Sequence, residues 1–159
     1  MIECFEQLLS HMGNDKDRPE LAATPLLAAK AFEQLSQGYN VNPQSLIAQE
    51  LMRTPKGYNG SIELPDIPFI SLCEHTFLPF LGTVTVHFSP NQSIIGAGCI
   101  EKLIHAFARR MQLQERLTLQ IAETIYNELA PHWVQVDINA IHSCMDGRQL
   151  NTKVRLGIG

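Results

Sequence analysis

The sequence has few charged residues, no large basic cluster and no long apolar run, and each shortage excludes a class of protein. Charged residues make up 18% of the chain, and the formal net charge is -4 at pH 7. The longest cationic cluster is Arg109-Arg110, which is too small for the basic surface that binds nucleic acids or anionic membranes. No apolar stretch approaches the length of a membrane-spanning helix. We therefore expect neither a nucleic-acid partner nor a membrane partner.

The sequence also has no internal repeats and no low-complexity segments, and its first residues do not resemble a secretory leader. The first residues, Met1-Ile2-Glu3-Cys4, are acidic and polar rather than basic and then apolar. These features predict a cytoplasmic protein. In that reducing compartment the 4 cysteines are expected to be thiols or metal ligands rather than disulfides.

The chain length of 159 residues and its 45% hydrophobic content predict one domain, residues 1–159, with its own core. We expect residues 1–60 to form a helical extension and residues 61–159 to form the core of the fold. Apolar residues at helical spacing, together with helix-start and helix-stop residues, predict helices in the extension over 2–12, 24–36 and 45–51.

From Pro68 onward, strand and helix patterns follow each other clearly. Alternation of apolar and polar residues indicates strands, and apolar stripes at helical spacing indicate helices. In chain order, these patterns predict two strands, two helices and two strands, over 69–72, 82–88, 100–111, 114–129, 134–140 and 154–158. This order favours an α+β fold in which an antiparallel sheet carries two helices on one face.

Two of the predicted strands end on residues that bind metals or act as nucleophiles. Cys73-Glu74-His75-Thr76 follows one strand, and His142-Ser143-Cys144 follows another. Cysteine and histidine are the ligands that zinc prefers, and a thiol beside an imidazole can also become a reactive thiolate. Between the two motifs, Gln114-Glu115 opens a helix, where the helix dipole keeps a carboxylate ionised and ready to accept paired N–H groups.

Each of these residues also has a simpler interpretation. Cys73 and Cys144 could be buried thiols, and Glu115 could be a helix N-terminal charge that the dipole favours. Cys99 is equally compatible with core packing and with a place in the site. The joint occurrence of cysteine and histidine in both motifs favours a functional site.

Three segments together resemble the signature of the GTP cyclohydrolase I family. They are Cys73-Glu74-His75, the run F-A-R-R-M-Q-L-Q-E-R-L-T from Phe107 to Thr118, and His142-Ser143-Cys144-Met145. The chain is identified as a divergent member, because the family writes the first motif C-E-H-H and this chain has Thr76 in the last position. The resemblance implies the tunnelling fold (T-fold), with subunit sheets joined in a pentamer-based ring or decamer and active sites between subunits.

The resemblance also implies an activity, namely hydrolysis of a purine or pteridine ring by metal-activated water, as in folate biosynthesis. The implied cofactor is zinc held by Cys73 and Cys144, with the third protein ligand open at Thr76. His75 and His142 match the family's proton-transfer histidines. Gln114 and Glu115 match the residues that recognise the base, and Lys102 and Arg148 match cationic positions near the phosphates.

Two further cationic positions of the family are replaced, by Leu27 and by Cys99 in the pair Gly98-Cys99. Losing two cations weakens the binding of a triphosphate, so a substrate other than GTP is an open alternative. Two other functions stay open. One is a metal-free T-fold enzyme that uses Cys73 as its nucleophile, and the other is a non-catalytic regulatory paralogue that binds a purine or pterin.

Overall fold

The structure is a computed structural model that describes residues 1–12 and 18–158. It divides into two compact units, Met1–Ser36 and Gln37–Gly159. In the part of the chain that is described, no helix is both long enough and apolar enough to cross a membrane. The organisation as one domain with a boundary at residue 60 stays a prediction.

The first unit is a pair of helices, α1 (Ile2–His11) and α2 (Thr24–Ser36). Their positions confirm the two helices predicted at the start of the chain. The rings of Phe5 and Phe32 join them, with centroids 5.2 Å apart. A proline at the second position of α2 is compatible with the helix because a first-turn residue needs no N–H partner.

The second unit holds the sheet and the helices that cover it. Its elements, in chain order, are α3 (Pro43–Ala48), β1 (Leu51–Arg53), β2 (Ile62–Cys73), β3 (Pro79–Ser89), β4 (Ser93–Ile95), α4 (Ala97–Ala108), β5 (Met111–Gln112), α5 (Gln114–Leu129), β6 (Trp133–His142) and β7 (Arg148–Gly157).

The main sheet has the strand order β5-β2-β3-β6-β7. Its long strands β2, β3, β6 and β7 pair antiparallel, which confirms the predicted sheet. The short strand β5 adds one parallel pairing, with Leu72 opposite Met111 and Cys73 opposite Gln112. This pairing was not predicted, and it places the start of α5 beside the end of β2.

The core lies between the sheet and the helices α4 and α5. Alternation along β3 sends Phe80, Val84, Val86 and Phe88 to the buried face, and each of these side chains is 0% exposed. Apolar residues of both helices belong to the same cluster of buried side chains: Ile100, Leu103, Ile104, Phe107, Leu117, Ile121 and Ile125. The predicted arrangement of two helices on one face of the sheet is therefore confirmed.

The prediction that α4 continues to residue 111 was wrong. The helix ends at Ala108, and Arg109 leaves helical backbone angles with ψ at 53°. The guanidinium of Arg110 then donates to the carbonyl oxygens of Gly38, Ala106 and Val41. Because these carbonyls satisfy the arginine, the chain turns early and Met111 enters a strand.

The segment between α3 and β2 also differs from its prediction. The short helix ends at Ala48, and Leu51 starts β1, which pairs with β4 in a separate two-stranded sheet. Strand β2 begins at Ile62, seven residues before the strand that was predicted over 69–72. A β-bulge between Leu64 and Ile67, with Asp66 at φ 51°, accommodates the prolines of this strand.

Replacing Phe88 with alanine is expected to lower the free energy of unfolding by about 3–5 kcal/mol, because the ring is fully buried in the core. Urea unfolding followed by circular dichroism measures this change. The matched control is Phe77→Ala, since the Phe77 ring is 61% exposed and its loss should change stability by less than about 0.5 kcal/mol. Equal losses in the two variants would contradict the assigned core.

Candidate active site

The ends of β2 and β6 and the start of α5 meet at one cavity of about 310 Å³. Strand β3 lies between β2 and β6, with Leu72 opposite Pro79 and Phe80 opposite His142, so the two motifs end at the same edge of the sheet. The cavity is lined by Cys73, His75, Thr76, Gln112, Leu113, Gln114, Glu115, His142, Cys144, Met145 and Leu150. Six of the eight residues that the sequence predicted for the site are in this set.

The thiols of Cys73 and Cys144 face each other, with their sulfur atoms 3.7 Å apart. Burial acts to raise the pKa of Cys73, but hydrogen bonds from the His75 backbone and from the side chains of Cys144 and Thr76 lower it below its usual value. Burial and the neighbouring sulfur of Cys73 raise the pKa of Cys144. These opposite shifts favour the thiolate form of Cys73 over that of Cys144.

A tight turn after β2 presents the rest of the first motif to the cavity. The backbone N–H of Phe77 donates to the carbonyl of Cys73, and the N–H of Cys73 donates to the carbonyl of Leu78. The turn requires a left-handed backbone at Phe77, with φ at 61°. His75 is exposed on this turn, with its Nδ1 atom 3.9 Å from the Cys73 sulfur.

The sulfur pair fits two positions of a zinc site, but the surrounding residues do not complete one. Two thiolates on a tetrahedral zinc with Zn–S bonds of about 2.3 Å lie about 3.8 Å apart, and the observed separation is 3.7 Å. In residues 1–12 and 18–158, however, no group of three or more His, Cys, Asp or Glu side chains is placed to hold a metal. Since Thr76 offers a neutral hydroxyl, the residues do not fit a catalytic zinc with three protein ligands.

His142 is held in one orientation and one tautomer. Its ring stacks on Phe80 with centroids 4.6 Å apart and planes at 5°. The Nε2 atom lies 2.7 Å from Oε1 of Gln114, which can only accept, so Nε2 carries the hydrogen. The Nδ1 atom therefore presents its lone pair, 3.9 Å from the Cys144 sulfur.

Burial also keeps His142 neutral near pH 7. It lowers the pKa of the imidazole below its usual value, although the carboxylate of Glu115 acts to raise it. A neutral imidazole with a free lone pair at Nδ1 can accept a proton from a group in the cavity.

The amide of Gln114 is buried, with only 1% of the residue exposed, and it fixes His142. Its Nε2 group donates to the carbonyl oxygens of Ile138 and Leu150 and to the hydroxyl of Thr152. Because these acceptors determine the orientation of the amide, its Oε1 atom must face His142. Contact between Gln114 and a substrate stays a prediction.

No role in the site was predicted for two threonines that support this network, Thr152 and Thr118. The hydroxyl oxygens of Thr118 and Thr152 lie 2.6 Å apart. The Thr118 hydroxyl also donates to the backbone carbonyl of Gln114. Thr118 is on α5 and Thr152 on β7. Their contact depends on how the helix packs on the sheet, and the sequence alone does not encode that as a motif.

Glu115 lies in the first turn of α5 and is exposed at the cavity. The partial positive charge of the helix N-terminus stabilises a negative group at this position. Glu115 and His142 thus put a carboxylate acceptor and a neutral imidazole into the same cavity, which can bind an N–H edge and move a proton.

The structure places Lys102 and Arg148 outside this cavity. Lys102 is on α4, where its Nζ atom lies 3.8 Å from the carboxylate of Glu50, and it lines a separate cavity with His105 and Arg109. Arg148 starts β7, opposite His142 in the strand pairing. Their roles in substrate binding stay predictions.

Cys99 also lies away from the sulfur pair. It is buried in α4, and its thiol donates to the carbonyl of Leu46 at 3.1 Å. Burial raises the pKa of this thiol, so a neutral form is favoured. In this structure Cys99 therefore packs in the core, which is one of the two interpretations that the sequence left open.

The sequence from residue 1 to 156 matches the sequence model of the family described as GTP cyclohydrolase I. The chain belongs to this family. GTP cyclohydrolase 1 of Porphyromonas gingivalis is 42% identical over 144 residues, which are 91% of this chain and 74% of the relative. The enzyme of the same name from Rickettsia bellii is 38% identical over 146 residues, or 92% of this chain and 76% of the relative.

A solved structure gives the fold independently. The crystal structure of the archaeosine synthase QueF-Like in its apo form matches with a TM-score of 0.52, covering 67% of this chain and 99% of that one. At 17% identity this likeness concerns the fold alone. It agrees with the T-fold expected from the sequence, and family membership supports a GTP cyclohydrolase I-like hydrolase function.

Proposed function

We propose that this GTP cyclohydrolase I family member hydrolyses the ring of a guanine derivative or a related purine or pteridine in the 310 Å³ cavity. One observation carries the proposal: the carboxylate of Glu115 and the neutral imidazole of His142 line the same cavity, with the sulfur pair beside them. This arrangement combines recognition of a planar N–H edge with proton transfer at the reacting ring.

Recognition is assigned to Glu115. The edge of guanine or a pterin presents neighbouring N–H groups, and an ionised carboxylate accepts two of them in parallel. The carboxylate lies in the first turn of α5, where the partial positive charge of the helix N-terminus stabilises a negative group. A purine without these N–H groups would leave the carboxylate unpaired, so this residue also selects the substrate.

Proton transfer is assigned to His142 and His75. Opening of the imidazole ring of a purine adds water at C8, breaks a C–N bond and releases C8 as formate after a second hydration. The Nδ1 atom of His142 accepts a proton from the attacking water, since its lone pair is free and the ring is neutral. The exposed imidazole of His75, in the Cys73 motif, gives a proton to the ring nitrogen that is released when the C–N bond breaks.

Zinc, the cofactor that the family resemblance implies, is a separate part of the proposal. Among the residues that the structure describes, a zinc ion held here would have only Cys73 and Cys144 as protein ligands, so the recognition and proton-transfer roles above are assigned without it. The metal content per chain, measured by mass spectrometry on protein purified without a chelator or histidine tag, tests this part. About one zinc per chain would support it, and no zinc after reconstitution would exclude it.

Assembly is a further part of the proposal. The resemblance implies a homo-oligomeric ring with active sites between subunits, and Lys102 lies outside the cavity of its own chain. In a ring, Lys102 of a second copy would supply the cationic group near a phosphate. Mass measurement by light scattering tests whether the chain assembles.

The proposed function is tested by formate release from a set of substrates. GTP, GMP, guanosine and guanine are incubated with the protein, with added zinc and separately with a chelator. Because Leu27 and Cys99 replace family cations, GMP or guanosine should be processed at least as fast as GTP. Absence of formate from all four would contradict the hydrolase, and binding without turnover would favour the regulatory paralogue.

A second candidate function is favoured by the lowered pKa of Cys73. Hydrogen bonds from the turn stabilise its thiolate, as expected for a nucleophile in a metal-free T-fold enzyme. Alkylation of Cys73 in the presence of a chelator separates the two functions. Loss of a chelator-resistant activity would support the nucleophile, and activity that survives alkylation would exclude it.

A further inference from the structure

We infer that Arg116 is a positioning residue of this site, whose forked ion pair with Glu74 holds the turn carrying Cys73 and His75 against the start of α5, which carries Glu115. The inference rests on the proposed function for its effect on turnover. Its structural content, the position of the turn, can be measured without any substrate.

The geometry of the pair is bidentate. Nη1 of Arg116 lies 2.6 Å from Oε2 of Glu74, and Nη2 lies 2.9 Å from Oε1. Two parallel N–H···O bonds fix both distance and orientation, which a single contact does not.

In the sequence, each partner of the ion pair is adjacent to residues with assigned roles in the site. Glu74 lies between Cys73 and His75, and Arg116 directly follows Glu115. The ion pair therefore joins the part of the site that reacts to the part that recognises the ring. Moving the turn away from α5 would change the distance between them.

Backbone hydrogen bonds between this turn and β5 reach only the first residues of the turn. The parallel pairing ends at Cys73 opposite Gln112, and the N–H of Glu74 donates to the Gln112 carbonyl at 3.1 Å. Beyond Glu74 the turn is exposed. Among the described residues, α5 also has no side-chain hydrogen bond at its N-cap, Leu113. In the part of the chain that the structure describes, the Glu74–Arg116 pair is thus the side-chain hydrogen bond that connects the turn with the helix start.

An ion pair that only stabilised the fold and an ion pair that positions the reacting groups predict different effects of mutation. The side chains of Arg116 and Glu74 are 42% and 29% exposed, and ion pairs this exposed contribute little to stability. Breaking the pair should therefore leave the melting temperature nearly unchanged. A small displacement of reacting groups, by contrast, strongly affects catalysis.

The turnover experiment compares four variants with the substrate that the wild-type protein converts fastest. Arg116→Ala is expected to lower kcat about tenfold while KM changes less than about twofold, because Glu115 still binds the ring. Arg116→Lys keeps the charge but loses the fork and should lose about as much. The charge-swapped double variant Glu74→Arg/Arg116→Glu should recover most of kcat. Lys153→Ala, which breaks the 2.8 Å pair with Asp137 elsewhere, is the control and should match wild type.

The second readout is the rate at which iodoacetamide alkylates Cys73 in the presence of a chelator, followed by peptide mass spectrometry. Cys73 is 5% exposed, so a loosened turn should speed its alkylation about tenfold in Arg116→Ala, with recovery in the double variant. Unchanged alkylation in Arg116→Ala, or no recovery in the double variant, would overturn the inference. If the wild-type protein converts no substrate, the proposed function fails, and these rates still decide the role of Arg116.

Discussion

Replacing Glu115 with glutamine is expected to lower kcat/KM for a guanine substrate by about 100-fold or more. The carboxylate lies at the start of α5 and lines the cavity, where it can accept two N–H groups of the ring edge. Glutamine keeps the shape but replaces one acceptor oxygen with a donor, which would face a donor of the substrate. Steady-state kinetics and calorimetric binding of guanosine measure the loss.

Glu123→Gln is the matched control, because Glu123 is exposed on the same helix and does not line the cavity. It should leave both binding and turnover at the wild-type level. If Glu115→Gln bound and converted guanosine as well as wild type does, the assignment of ring recognition to Glu115 would be wrong.

Replacing His142 with asparagine is expected to lower kcat by about 10²–10⁴-fold, the usual contribution of a general acid or base. Asparagine is too short to reach Oε1 of Gln114, which now receives Nε2–H of His142 at 2.7 Å, and its amide is not basic. The lone pair at Nδ1 is lost, so no group remains at this place to accept a proton. KM should change much less than kcat, since the assigned ring contact is to Glu115.

His105→Asn is the control for this variant, because His105 lies on α4 and faces Glu101 rather than the cavity. Circular dichroism and melting temperature show whether His142→Asn is folded. A folded His142→Asn protein with wild-type kcat would rule out His142 as the proton carrier.

Much of the fold was predictable because apolar and polar residues alternate along its long strands. Val84, Val86 and Phe88 repeat with a period of two, and the structure buries all three on the helix-covered face. The pattern failed where tertiary contacts determined the backbone. Met111 continues an apolar helical stripe, but α4 ends at Ala108 because Arg110 binds carbonyl oxygens from an earlier segment.

The site was predictable to the extent that its two motifs follow strands that end at the same edge of the sheet. Cys73 and Cys144 were expected together from their motifs, and their sulfur atoms lie 3.7 Å apart. The supporting contacts were not predictable, since they depend on register and helix packing. The hydroxyl of Thr152 reaches Gln114 from β7, and Arg116 reaches Glu74 across the gap between a helix start and a turn.

Lys102 shows the limit of residue matching within a single chain. Its position in the sequence matches a cationic residue of the family, yet in its own chain it lines a different cavity beside Glu50. A residue that acts in an assembly can be matched by sequence, but its contacts form only between copies. The role of Lys102 in substrate binding therefore stays a prediction.

The most direct test of the central claim is to follow a guanine nucleoside labelled with ¹³C at C8 by NMR while the protein acts on it. The proposed ring hydrolysis predicts that the C8 signal disappears from the ring and reappears as formate, and that Glu115→Gln and His142→Asn stop this transfer. A label that stays in the ring, while guanosine, GMP and GTP are bound or otherwise changed, would contradict ring hydrolysis at this site.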